Sequence, residues 1–241
     1  MVTLSKTNKA NPMSVLSSAG IMRHIKLGNI IVSPFKMQNL KTSSYDLTLG
    51  EYYFEPQHPS FALNIYNPYS KEEVKRIWGQ PKKAPLAKDL AKLGVAPQLL
   101  GARPKDRVIL IPPKKVFLCH TDEFVGGRYC VTTMMKARSS TGRNFIEVCR
   151  DAGWGDVGYI NRWTMEVANT SDDYWIPLVV GRRVAQMIFF EVEPPLELEK
   201  DYTKSGKYQT SSDLKRLIKG WKPEDMLPRL YKDPEVTGLV K

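Results

Sequence analysis

From Arg107 onward the chain is cut into short runs rich in β-branched and aromatic residues: "RVILIPP", "KVFLCHT", "RYCVTTMMKA", "NFIEVC", "RWTMEVAN", "YWIPLVV" and "RVAQMIFFEV". Turn signals separate them at Pro112-Pro113, Gly126-Gly127, Gly153-Trp154-Gly155, Ser171-Asp172-Asp173 and Gly181. Strands this short, at roughly 8 to 12 residue spacing, cannot bury themselves singly and point to a sandwich or barrel. The expectation is an all-β core.

Helical signals sit outside that block. "IMRHIKLGNIIVSPF" reads as a short helix stopped at Gly28, then a strand. "SSYDLTLGEYYFE" reads as a strand with a turn at Gly50. Ser70 and Glu73 have capping-box spacing ahead of "KEEVKRIW". "PLAKDLAKLG" has Pro in front and Gly behind, as helices do. Residues from about 57 to 105 therefore read as a helical insertion. "SSDLKRLIKG" is expected to be a peripheral helix in a tail starting near 196. The first 20 residues read as a loose arm, so the division is 1–20 arm and 21–241 one domain.

The 241 residues carry 42% hydrophobic and 25% charged side chains, which fits a soluble globular protein. No apolar run approaches the roughly 18 to 20 residues of a membrane span, and the polar N-terminus lacks a signal-peptide core. Cys119, Cys130 and Cys149 form no CxxC pair. The expectation is a reduced, cytoplasmic protein without a membrane partner. The net charge of +11 calls for an anionic partner. Because the excess is spread as single Lys and Arg, it adds little weight to nucleic acid over a phosphorylated small molecule.

"MMKARSSTGRNFIEVCRDAGWGDVGYINRWTMEVAN", residues 134–169, holds the chemistry. A Glu in the middle of "WTMEVA" is either a solvated outward position or a proton-moving group. Asp156 is either a turn residue or a ligand. Arg138, Ser139 and Ser140 are either a solvated strand end or a cradle for phosphate, made of guanidinium, hydroxyls and backbone N–H groups.

This stretch resembles the deoxycytidine triphosphate deaminase family of the trimeric dUTPase superfamily. Arg143 follows Arg138 by five residues, and Asp156 precedes Glu166 by ten. "SSYDLTLG" (43–50), "IPPKKVFLCHTDEFV" (111–125), "GRRVAQMIFFEVE" (181–193) and "YTKSGKYQ" (202–209) are similar to flanking motifs of that superfamily. The resemblance covers roughly 21–56 and 107–210. It leaves out the insertion and the last thirty or so residues.

The resemblance implies a distorted β-sandwich, jelly-roll-like, assembled as a homotrimer with sites at subunit interfaces. It implies hydrolysis of dCTP to dUTP and ammonia without zinc. None of His24, His58 or His120 fits the H-x-E and P-C-x-x-C signature of zinc deaminases. Glu166 would be the base, with Arg143 and Ser139 orienting it and the water, and the backbone at Ala152 holding that water. Substrate contacts would come from Arg138, Ser139, Ser140, Arg143, Asp156, Thr164 and Met165. Tyr202, Lys207 and Gln209 would add contacts from the tail. Asp156 would serve the sugar or, in a bifunctional enzyme or dUTPase giving dUMP and pyrophosphate, activate water against phosphate. Mg2+ would arrive on the triphosphate. A non-catalytic nucleotide- or nucleic-acid-binding homologue is the remaining alternative. Asp46 in "YDL" reads as structural.

Overall fold

A computed structural model of the protein describes residues 14–58, 64–95, 99, 101–193, 202, 206–209 and 211–238. Twelve strands are described: β1 (Ile30–Ser33), β2 (Tyr45–Thr48), β3 (Tyr52–Tyr53), β4 (Lys82–Lys83), β5 (Val108–Ile111), β6 (Val116–Gly127), β7 (Val131–Ala137), β8 (Ile146–Glu147), β9 (Trp154–Gly155), β10 (Ile160–Asn169), β11 (Ile176–Val179) and β12 (Arg183–Glu191). They form two four-stranded antiparallel sheets, in orders β1-β6-β10-β8 and β2-β12-β7-β9, and two small pairs, β5-β11 and β3-β4.

Side chains from both large sheets meet in one core. Ile30, Cys119, Val125, Trp163 and Met165 come from the first sheet, and Tyr45, Leu47, Met135, Met187 and Phe189 from the second. The period of two decides which residues go in. In β10, Trp163, Met165 and Val167 are buried, while Arg162, Thr164 and Glu166 are half-buried on the opposite face. The expected sandwich is therefore present, and each large sheet has an outer face to be covered.

The register of β6 against β10 slips once. Phe124 pairs with Arg162, but His120 pairs with Thr164, so Thr121, Asp122 and Glu123 together oppose Trp163. This bulge is held from inside: Trp163 N–H donates to Thr121 Oγ1 at 2.9 Å, and that hydroxyl donates to the Glu123 carbonyl at 2.7 Å. Extra residues in one strand re-aim side chains. Here Glu123 is fully buried, and its carboxylate accepts from Thr48 N–H at 2.9 Å and Thr48 Oγ1 at 2.8 Å. Burial still pushes the Glu123 carboxyl up from its ordinary range, with the Thr48 donors pulling against it. Beside it, burial pushes His120 down to about 4. Its Nδ1 lies 2.8 Å from the Thr121 carbonyl, and its Nε2 accepts from Tyr52 N–H at 3.2 Å, which fits a neutral imidazole.

Two expectations change. Gly126 and Gly127 do not make a turn; β6 runs through both, and the chain reverses after them, with Tyr129 at φ 59°. Glycine is needed at 126 for closeness, since a Cβ there would lie 1.9 Å from the Tyr159 carbonyl oxygen. The end of the expected 1–20 arm is also part of the fold. Leu16 is buried and its N–H donates to the Phe189 carbonyl at 2.8 Å; residues 1–13 lie outside the described residues.

The helices lie where expected. α1 (Ser18–Leu27) starts at an N-cap Ser17 and ends at Gly28 with φ 79°. In the insertion, α2 (Lys71–Trp78) has Ser70 as its N-cap, and α3 (Ala87–Leu90) is a single turn that runs on to a kink at Gly94. Ala87, Leu90 and Leu99 pack on Val108 of β5, which ties the insertion to the β5-β11 pair. α4 (Ser139–Gly142) is one turn after β7, and α5 (Leu214–Gly220) starts from an N-cap Asp213.

After α5 the chain crosses the outer face of the first sheet. Leu217 packs with Phe124 and Ile160, and Met226 with Phe54 and Leu118. The centre of the Trp221 ring lies 4.6 Å from that of His120 and 4.9 Å from the Arg162 guanidinium. Among the described residues no helix is long and apolar enough to cross a membrane.

Thr48→Val keeps the shape of the side chain but strips one donor from a buried carboxylate. Leaving such a group short of a partner costs about 1–3 kcal/mol. Urea denaturation at neutral pH should show a loss of that size. The loss should shrink in acid, where Glu123 is protonated in both folded and unfolded chains.

Candidate active site

A cavity of about 350 Å³ opens on the first sheet's outer face, at the middle of β10. Glu166 and Thr164 reach it because they share the outward face of that strand. Leu118, the β6 partner of Glu166, lies beside them.

The second wall is the loop through β9, with Ala152, Trp154, Gly155 and Asp156. It is pinned to β7: Met135 N–H donates to the Gly153 carbonyl at 2.7 Å, and Thr132 Oγ1 to the Gly155 carbonyl at 2.6 Å. A Cβ at Gly155 would sit 2.4 Å from both Thr133 Oγ1 and the Trp163 ring, so this loop lies as close to the sheet as a backbone can.

The third wall comes from the end of the chain. Tyr202, Tyr208, Met226 and Pro228 close the cavity from outside. Tyr202 meets the Tyr159 ring edge-on at 4.9 Å.

Burial dominates the electrostatics here. It pushes the Glu166 carboxyl up from its ordinary range; its own backbone N–H and the charge of Arg150 pull the other way. The buried Cys149 thiol is pushed up as well, first by burial and then by the Glu166 charge. A carboxyl with a raised pKa, half-buried in a cavity, is suited to taking up and releasing a proton.

Residues 83–192, which hold Glu166, Thr164 and the β9 loop, match the family model described as dCTP deaminase-like. The matched stretch is a little under half of the chain. Relatives named "dCTP deaminase, dUMP-forming" include one from Clostridium botulinum (strain Eklund 17B / Type B), 24% identical over 200 residues, 83% of this chain and 93% of that protein. Another, from Methanobrevibacter smithii, is 26% identical over 198 residues, 81% of this chain and 90% of that protein. A relative named "dCTP deaminase" from Haloarcula marismortui is 27% identical over 200 residues, 82% of this chain and 91% of that protein. The crystal structure of 2'-deoxycytidine 5'-triphosphate deaminase from Agrobacterium tumefaciens shares the fold with a TM-score of 0.50 at 14% identity. That likeness spans 74% of this chain and 47% of the solved one.

The site residues expected from sequence divide into groups. Glu166, Thr164, Ala152, Asp156 and Tyr202 share the cavity. Met165 does not: the alternation of β10 turns its side chain into the core, where it is fully buried. Arg138, Ser139, Ser140 and Arg143 lie apart from the cavity, around α4. Arg138 and Ser140 line a separate hollow of about 370 Å³ with Arg182 and Arg183. Arg138 and both of those arginines also border a hollow of about 530 Å³ together with Lys36 and Asn39. Arg143 is exposed at the end of the α4 turn.

Gln209 is not directed at the cavity. Its Oε1 accepts from Ile160 N–H at 2.7 Å, and its Nε2 donates to the Gly158 carbonyl at 3.0 Å and the Ser211 carbonyl at 3.1 Å. Its amide is occupied in fastening the tail to the start of β10. Lys207 pairs with Asp233 and does not line the cavity either. Asp46 is buried and serves as a shared counter-charge for Arg183 at 3.0 Å, Arg138 at 3.5 Å and Lys41 at 3.9 Å.

Tyr208, Met226 and Pro228 are not among the residues expected from sequence. Met226 and Pro228 lie in "PEDMLPRLY", which carries only an apolar spacing with no chemical motif to mark it, while Tyr208 sits between Lys207 and Gln209 in "YTKSGKYQ" with no feature of its own to single it out. Arg150 escapes notice for a similar reason, since nothing in its local sequence shows that its charge acts on Glu166.

A carboxyl whose pKa is raised by folding destabilises the folded chain once the pH exceeds its unfolded value. Glu166→Gln should therefore raise the melting temperature at neutral pH. The gain should build up as pH rises from the unfolded carboxylate value to the folded one and vanish below both. Thermal melts of both proteins across that range check it.

Proposed function

We propose that this protein deaminates dCTP hydrolytically, with Glu166 as the proton-transfer group. The observation that carries the reading is Glu166 itself: a carboxyl pushed up by burial, in a cavity walled by the Ala152–Asp156 loop, inside a dCTP deaminase-like domain. In this reading a water lies between Glu166 and the backbone near Ala152. Glu166 takes a proton from it as the oxygen adds to C4 of cytosine and passes that proton to ring N3, then carries the remaining hydroxyl proton to the departing amine, which leaves as ammonia as the C4 carbonyl forms. Asp156 and Tyr202 lie at the same cavity and would address the sugar side.

Arg138, Ser139, Ser140 and Arg143 would take the phosphates. They do not share a cavity with Glu166 in one chain. This separation supports an assembly, proposed here as a homotrimer, in which the α4 cluster of one subunit completes the Glu166 cavity of another. The α4 region fits an anion and suits a bare metal poorly. Its cations outnumber its carboxylates, and Asp46 is already engaged by Arg138 and Arg183. Magnesium would therefore be held by phosphate oxygens.

A second reading, in which dUTP goes on to dUMP and pyrophosphate, is favoured by Asp156 standing in the same cavity as Glu166. The names of the Clostridium botulinum and Methanobrevibacter smithii relatives point the same way.

Incubation with dCTP and magnesium, followed by ammonia and nucleotide analysis, tests the reading. Glu166→Gln should lower turnover by about 10²–10⁴-fold, the usual worth of a positioned acid–base group. dUTP as the end product supports the first reading, and dUMP with pyrophosphate the second. Full activity in Glu166→Gln would remove Glu166 from the chemistry.

A further inference from the structure

The dCTP deaminase-like match ends at residue 192, yet one wall of the cavity is built from later residues. That wall is firmly bolted. Arg229 sits at the centre: its backbone N–H donates to Tyr208 Oη at 3.1 Å, its Nη1 to the Lys207 carbonyl at 2.7 Å and its Nη2 to Asp225 Oδ1 at 2.8 Å. The guanidinium also lies 5.4 Å from the Tyr208 ring centre. Asn161 Nδ2 donates to the Tyr208 carbonyl at 2.9 Å, which joins the same segment to β10. Met226, on the turn just ahead of Arg229, is buried against Phe54 and Leu118.

The position of Met226 has a chemical meaning. Leu118 is the cross-strand partner of Glu166, and Met226 packs on Leu118, so Met226 borders the Glu166 end of the cavity. On the proposed reaction Glu166 addresses C4 of the pyrimidine. The ring position next to C4 is C5. A thioether at that edge would lie against the ring and limit what C5 can carry.

We propose that residues 207–209 and 225–229 form a preassembled wall of the substrate site. Met226 is its specificity-determining residue at the C4–C5 edge of the base, and Arg229 is the positioning residue that sets the wall's distance from β10. This rests on the deaminase reading for the identity of the base. It adds residues and a size limit to that reading.

The test compares dCTP with 5-bromo-dCTP in wild type, Met226→Ala, Met226→Leu and Arg229→Lys. The quantity read is the kcat/KM ratio between the two nucleotides within each preparation, which cancels any loss of folded protein. Met226→Ala should raise the 5-bromo-dCTP to dCTP ratio about tenfold, the order expected for space of a group or two in an apolar pocket. Met226→Leu, close in volume, should leave the ratio near that of wild type. Arg229→Lys loses the planar fork; it should raise the KM for dCTP more than it lowers kcat, and shift the ratio in the same direction as Met226→Ala. If Met226→Ala does not fold, Met226→Val is read on the same ratio. A Met226→Ala ratio within twofold of wild type overturns the proposal while leaving the deaminase reading intact. A wild type that turns over no dCTP overturns the deaminase reading instead, and the wall is then judged by the same ratio in dissociation constants. Failure to bind either nucleotide overturns both.

Discussion

The antiparallel pairing of β6 with β10 is the contact on which the rest depends. It orients both faces of β10 at once. Trp163, Met165 and Val167 go into the core, which commits Thr164 and Glu166 to the outside. A slip of one residue would exchange the two sets and place a carboxylate in the core. The bulge at Thr121–Glu123 absorbs the extra residues of β6 without disturbing that choice, because Thr121 closes it internally and Thr48 accommodates the carboxylate it turns inward.

The cavity is a consequence of covering an outer face. β10 presents half-polar residues there, and the chain brings Leu217, Trp221 and Met226 across to cover the apolar part. What stays uncovered is the neighbourhood of Glu166. Its raised pKa and its accessibility thus have one origin, a sheet face that is only partly roofed.

Much of this was legible in the sequence. Alternation in "RWTMEVAN" and the turn-separated runs pointed to the sandwich, and Gly28 and Ser70 marked helix ends through local backbone and hydrogen-bonding chemistry. Glu166, Ala152, Asp156, Thr164 and Tyr202 do meet at one cavity. Met165 could have been set aside from parity alone, since it neighbours Glu166 on a strand. The rest depends on long-range encounters. Gln209 reads as a polar tail residue until Ile160 and Gly158 are placed opposite it. Met226 has no local signature, because its role arises from packing on Phe54 and Leu118, which are distant in the chain. Arg229 gains its role only when the backbone of Lys207 and the hydroxyl of Tyr208 are brought back against it.

Asp46 alters how the positive charge of this protein is to be understood. Arg138 and Arg183 do not stand as free cations at the α4 hollow; a buried carboxylate already neutralises part of their field. An anion arriving there exchanges one partner for another, and its affinity is the difference between the two pairings rather than the full value of a new one. The +11 of the sequence therefore overstates the attraction at this point. The discrimination falls to ligands that can offer two or more oxygens at once, for which the exchange is favourable, over those that offer a single charge.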